Sequence, residues 1–188
     1  MSYMKKKFLL CIFLVYFIPL TGINAQIPQG QLNSMIVKDE TLIIPGIGAS
    51  STVIDMSEQE VLLIKGNPFK KTQQVTHDFL KDVLKIQSEA SLPFHYLYTY
   101  RNPLTIIGFY NGRVSFVVVW DSYGVLIDGV RVSKGVMAIV FNYGNEGMKV
   151  LKDENGSIYM YPSKGIAFID EKSDDTVDGV IIFKSCSN

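Results

Sequence analysis

The chain has 188 residues, with 18 basic and 18 acidic side chains and only two cysteines. That balance excludes the dense basic patch nucleic acid requires and the polybasic surface anionic lipid requires. A hydrophobic share of 47% is enough to build a core without disulfide support.

The N-terminus carries a processing signal. Lys5, Lys6 and Lys7 precede an apolar run from Phe8 to Leu20, and Ile23-Asn24-Ala25 ends in a small residue. This pattern predicts a secretory signal peptide over 1–25, cleaved before Gln26. The apolar run of about 13 residues is shorter than the roughly 20 a membrane span needs. Cys11 follows Leu10 inside the apolar core, which does not suit a lipid anchor. Cleavage leaves 163 of the 188 residues, with 15 basic and 18 acidic side chains and Cys186 as the one thiol. The mature chain is expected in the periplasm or outside the cell. Cys186, in Ser185-Cys186-Ser187-Asn188, reads first as an inert thiol, since no base lies beside it; an intermolecular bridge and a reactive nucleophile are the alternatives.

Residues 26–46 read as an extended N-terminal segment, with a charged turn at Lys38-Asp39-Glu40 between two short apolar stretches. Ser57-Glu58-Gln59-Glu60 has the form of a capping box, and Val61 to Ile64 supplies the buried side of a short helix. Gly66 ends it and Pro68 prevents its continuation. A second, longer helix is predicted from about Val75 to Ser88, with Phe79, Leu80, Val83, Leu84 and Ile86 on one face.

The period then changes to two. Tyr96, Tyr98 and Tyr100 alternate with Leu97, Thr99 and Arg101, and Asn111-Gly112 joins strands Leu104–Tyr110 and Arg113–Trp120 as a hairpin. The pattern recurs. Gly129 to Asn145 parallels Ser51 to Asn67, with Gly66 and Gly144 separated by 78 residues. Ser133 is expected to cap the second helix. Asn155-Gly156 and Lys164-Gly165 turn strands around Tyr159-Met160-Tyr161, which align with Tyr98 and Tyr100.

These elements predict an α+β fold of two tandem repeats, each a helical segment packed on an antiparallel β-sheet. Repeat 1 is expected over 47–124 and repeat 2 over 125–188, in one globular unit. Met56 to Val61 with Gly66-Asn67-Pro68 and Gly112-Arg113-Val114, and in the second half Gly129 to Val132, Gly144, Tyr159 to Tyr161, Gly165-Ile166 and Gly179 to Ile181, carry a resemblance. The chain resembles the beta-lactamase inhibitory protein family and the related outer-membrane assembly lipoproteins of the BamE type. The resemblance implies a tandem helix-plus-sheet fold. It carries over no contact residue.

Chemical motifs are sparse. His77 and His95 lie on different elements without zinc-ligand spacing. Gly46-Ile47-Gly48 lacks the strand-turn-helix setting of a dinucleotide loop, and Asp170-Glu171 with Asp174, Asp175 and Asp178 lacks calcium-loop spacing. The sequence names no catalytic residue, metal or cofactor. The aromatic surplus is more informative, because tyrosine tolerates a wet sheet face and is favoured at interfaces. Tyr98, Tyr100, Arg101, Tyr159 and Tyr161 are therefore expected on an uncovered sheet face that binds a protein partner. The reading is a non-catalytic, extracytoplasmic protein-binding module: an inhibitor, an assembly factor or an envelope scaffold. The alternative is a small-ligand or peptide-binding protein with an apolar cavity, and an enzyme of unrecognised type comes third.

Overall fold

A computed structural model describes residues 27–72, 77–86, 88, 90–120, 125–126, 135–152 and 156–185. The expected signal peptide, Tyr123, residues 129–134 with Ser133, Asn155 and Cys186 lie outside those residues.

Helix α1 (Gln29–Lys38) leads into the short strands β1 (Leu42–Ile44), β2 (Gly48–Ala49) and β3 (Thr52–Val53). Helix α2 (Glu58–Lys65) precedes β4 (Lys70–Lys71). A strap follows, made of β5 (His77–Asp78), one π-helical turn (Phe79–Val83) and β6 (Pro93–Phe94). Then come β7 (Tyr96–Arg101), β8 (Leu104–Tyr110), β9 (Arg113–Trp120) and β10 (Val125–Leu126). Helix α3 (Val136–Tyr143) leads to β11 (Lys149–Lys152), β12 (Ser157–Tyr161), a 3-10 turn (Pro162–Lys164), β13 (Ile166–Asp170) and β14 (Gly179–Phe183).

The fold is α+β, dominated by one antiparallel sheet in the order β11-β12-β13-β14-β9-β8-β7-β4. The strands run outward from a central seam, where β14 pairs with β9 from Gly179 opposite Trp120 to Phe183 opposite Phe116. Near the seam Gly108 is obligatory, because a Cβ there would stand 2.3 Å from the Phe116 ring. A smaller sheet, β10-β1-β2-β3, packs beside it, with β1 and β10 parallel.

Period two sorts the side chains into two apolar layers. On one face Tyr96, Tyr98, Tyr100, Ile107, Phe109 and Phe168 lie in one cluster with Val61 of α2 and Val136 and Ile139 of α3. On the other, Leu97, Phe116, Val118, Met160 and Ile181 cluster with Phe79, Leu80, Ile86, Leu92 and Phe94 of the strap. Each fully buried side chain of this size contributes about 1.5–3 kcal/mol.

Helix α2 forms as its sequence dictates. The Ser57 hydroxyl accepts from the Glu60 amide at 3.3 Å, and the Glu60 carboxylate accepts from the Ser57 amide at 2.8 Å. Gly66 closes it at φ +72°. Helix α3 has Gly135 at its N-cap and no capping side chain of its own. Asp175, from a distant loop, replaces it. Its carbonyl accepts from Val136 N at 3.0 Å and its carboxylate from Met137 N at 3.2 Å.

Two expectations are corrected. Residues 29–38 are helical, not extended. Pro28 is preset for a helix start, and its carbonyl accepts from Gln31 and Leu32. Leu32, Ile36 and Val37 then form an apolar face against Ile44 and Val53 of the small sheet. The long helix expected over 75–88 is replaced by the strap. Asp78 competes for the backbone: its carboxylate accepts from Lys81 N, Ser91 Oγ and Leu92 N, which folds the segment back on itself. Lys85, at φ +62°, turns the chain out of the helical path.

Candidate functional site

The tyrosines do not form an open face. Tyr98, Tyr100 and Tyr161 are 2%, 8% and 1% exposed. Tyr159 is half-buried against the same layer, and Arg101 alone of the five is exposed, its guanidinium stacked 3.4 Å from the centre of the Phe69 ring. The expectation of an uncovered, partner-binding tyrosine surface is corrected: helices α2 and α3 close that face. The alternate residues Leu97, Ile158 and Met160 are buried in the strap's layer, so both faces are covered. Nor are the five residues brought together. Strands β7 and β12 stand five positions apart in the sheet, about 24 Å at the usual strand spacing.

The phenol groups act within the core. Tyr100 donates to the Gly66 carbonyl at 3.0 Å and Tyr161 to the Gly144 carbonyl at 3.0 Å. Burial pushes the Tyr100 phenol up to about 12 and raises that of Tyr161. Both are therefore protonated donors at neutral pH.

A charged cluster lies where β4 meets β7. Tyr96 donates to Glu58 Oε2 at 2.7 Å, and Tyr98 donates to Glu58 Oε1. The Lys71 ammonium reaches Glu58 Oε1 at 3.0 Å and the Tyr98 hydroxyl at 2.9 Å, and lies 4.8 and 4.9 Å from the ring centres of Tyr96 and Tyr98. The hydrogen bond from Tyr98 is the largest cause holding Glu58 below the usual carboxylate range, and the bond that Lys71 donates to the Tyr98 oxygen is the largest cause raising Lys71. Burial raises Tyr96 and Tyr98. Each charge here is answered by a neighbour, so the cluster clamps α2 and the edge strand to β7.

The histidines pack on aromatic rings. His77 sits 5.7 Å from Phe94, with Nδ1 3.3 Å from an Asp82 carboxylate oxygen. His95 lies 4.6 Å from Tyr110, and its Nδ1 accepts from Asn111 N. Among the described residues no group of three His, Cys, Asp or Glu side chains could hold a metal ion.

Two open spaces lie on the strap side of the sheet. A groove of about 530 Å³ runs between the strap at 90–93 and the strand ends of β11, β12 and β14. Leu92, Pro93, Met160, Pro162 and Phe183 give it an apolar floor; Lys149 and Lys184 stand in its lining. Lys184 also pairs with Asp55 at 2.8 Å. Ser115 lines the groove while donating to the Pro93 and Gly108 carbonyls, which fixes this end of the strap. Beside residues 84 and 86 of the strap, a smaller cavity of about 300 Å³ is lined by Leu84, Ile86, Ile158, Ile169 and Asp170. Sequence reasoning missed the groove because it rendered the strap as a helix. The available signal was Asp78 with Ser91-Leu92-Pro93, a turn-forming set too polar for a continuous helix.

Among the described residues, the outward sides of α2 and α3 carry the two most exposed large apolar side chains, Leu63 at 85% and Phe141 at 88%. No described helix is long and apolar enough to cross a membrane.

No family model matches the chain, and no curated protein matches it. Several solved structures are similar to it, three of which follow. One is an extracellular protein containing a SCP domain from Bacillus anthracis, at TM-score 0.46 and 9% identity over 70% of this chain and 44% of that one. The chain thus spans less than half the length of that protein. The second is the uncharacterised protein yfeY from Escherichia coli, at TM-score 0.45 and 10% identity over 75% of this chain and 99% of that one. The third is a DUF4309 family protein from Bacillus subtilis, at TM-score 0.43 and 15% identity over 83% and 95%. None of the three is a beta-lactamase inhibitory protein or a BamE-type lipoprotein.

Proposed function

We propose that the chain is a non-catalytic binding module that works outside the cytoplasm, and that its ligand is a small amphipathic molecule with an acidic end. The groove carries this reading. Its volume falls within the range of small-ligand sites, which are mostly apolar with a few placed polar groups. Met160, Pro162 and Phe183 would take the apolar body, and the ammonium of Lys149 or Lys184 the acid. The signal-peptide pattern at 1–25 supports export. A protein partner held by the tyrosine face loses its support, because those rings are core.

The fluorophore 1-anilinonaphthalene-8-sulfonate has the required shape, with fused rings and one sulfonate. It is expected to bind the native protein with an affinity that falls about tenfold in Lys149→Glu, a loss of about 1.4 kcal/mol. Ser163→Trp, which fills the groove from its rim, is expected to do the same. Binding unaltered by both substitutions would remove the groove from consideration.

The reading includes an origin by duplication of one helix-plus-meander unit. Strands β4-β7-β8-β9 and β11-β12-β13-β14 meet in mirrored order at the seam, and α2 and α3 lie on the same side. Gly66 and Gly144 end the two helices at φ +72° and +76°, and each receives a tyrosine hydroxyl from the sheet. These correspondences support the expected tandem repeat and the family resemblance that goes with it. An experimental structure in which residues 57–120 and 135–183 fail to superpose would overturn it.

A further inference from the structure

Strands β4 and β7 are antiparallel neighbours at one edge of the sheet, and β11 and β12 are antiparallel neighbours at the other. Only four residues separate β11 from β12 in the sequence. The first pair is joined through the whole strap, an excursion that the topology does not require. Its described part crosses the sheet face opposite the helices and buries Phe79 and Leu80 completely. The Phe79 and Phe116 rings lie 4.8 Å apart. The two cavities flank it, one beside residues 84 and 86 and the other beside 90–93.

Among the described residues, the hydrogen bonds of the strap's body run within it. Phe79 N donates to the Leu92 carbonyl at 3.0 Å, Leu84 N to Phe79, and Ile86 N to Leu80. His77 pairs with Phe94, and the Asp78 carboxylate clasps Lys81, Ser91 and Leu92. Bonds to the sheet come at its end, from Ser115 Oγ to the Pro93 carbonyl and from His95 N to the Phe109 carbonyl. The body of the strap is thus a prefolded unit seated through apolar contact, which is non-directional and can be exchanged for another apolar surface.

We infer that the strap is a built-in competitor for the ligand face: the groove at 90–93 is the open end of a longer site, and an apolar ligand displaces Phe79, Leu80 and Leu92 to occupy the rest. The inference rests on the groove reading of the previous subsection. A site occupied by its own chain binds with an affinity reduced by the fraction of molecules in which it is open. Asp78 sets that fraction, because its carboxylate holds the strap in the shape that fits the sheet.

Asp78→Ala and the milder Ser91→Ala test this on the purified protein with the same anilinonaphthalene sulfonate. Each is expected to tighten binding about threefold or more. Hydrogen exchange should show lost protection at residues 79–86 while β12, β13 and β14 stay protected, which separates strap release from unfolding. Adding Lys149→Glu to Ser91→Ala should weaken the tightened binding, tying it to the same groove. A strap that loosens with no gain in affinity, or that keeps its protection in both variants, overturns the inference while leaving the groove standing. Tightened binding that ignores Lys149→Glu overturns both.

Discussion

The Tyr161 hydroxyl donates to the Gly144 carbonyl at 3.0 Å, and Tyr100 donates to Gly66 at the same distance. The last carbonyls of a helix have no intrahelical donor. A phenol rising from the sheet supplies one and fixes the helix end over its strand. Tyr161→Phe and Tyr100→Phe each remove the donor and keep the ring. Each is expected to cost about 1–2 kcal/mol, read as a lower urea midpoint at unchanged slope. A loss confined to one of the two would show that the helix ends are held differently.

The glycines that receive these bonds sit at φ +72°, ψ −162° and φ +76°, ψ 177°. This is a region that essentially only glycine occupies. There is open space around both, so a Cβ would meet no neighbour and the penalty is conformational. Gly66→Ala and Gly144→Ala should each lower stability by about 1–3 kcal/mol. Thermal melts would check this, and a neutral result at either position would mean that the chain relaxes there.

Glu58 makes folding sensitive to acid. Its folded pKa is lowered, first by the Tyr98 hydrogen bond and then by Tyr96 and Lys71, with burial opposing. A depressed carboxylate stabilises the fold above its unfolded value and loses that contribution as pH falls through the folded value. Urea midpoints taken from pH 7 down to pH 3 should therefore drop. Glu58→Gln should flatten the lower part of that drop. At pH 7 it should cost only about 1 kcal/mol, because the carboxylate is partly exposed and solvent screens it.

The two helix starts are capped by different routes, and this can be measured. Ser57→Ala removes a local cap, and Asp175→Ala removes one delivered across the fold. Each should cost about 1 kcal/mol. In a fragment lacking residues 157–188, α3 should lose its cap entirely while the Ser57 box persists. Circular dichroism of peptides spanning 55–67 and 133–145 would register the difference.

Much of the architecture was legible. Ser57 and Glu60 announced α2 because a capping box needs only a serine and a glutamate three residues apart. Asn111-Gly112 announced its hairpin because both positions tolerate positive φ, and they adopt +51° and +72°. The β7 tyrosines declared their common face through period two. The strap was not legible, because Phe79, Leu80 and Leu84 satisfy a helical pattern as well as they satisfy a folded-back turn. The Asp78 carboxylate selects between the two by hydrogen bonds to Ser91 and Leu92, 13 and 14 residues away. The groove followed the strap into obscurity.

From residue order alone come the capped helix, the alternating strands and the glycine stops, because each depends on interactions a few residues long. Which face of the tyrosine strands is wet could not be read there. Burial is decided by what packs above a strand, and here helices α2 and α3 close one side while the strap crosses the other. Tertiary packing therefore turned the tyrosines from a surface into a core and brought Pro93, Lys149 and Phe183, far apart in the chain, to the lining of one groove.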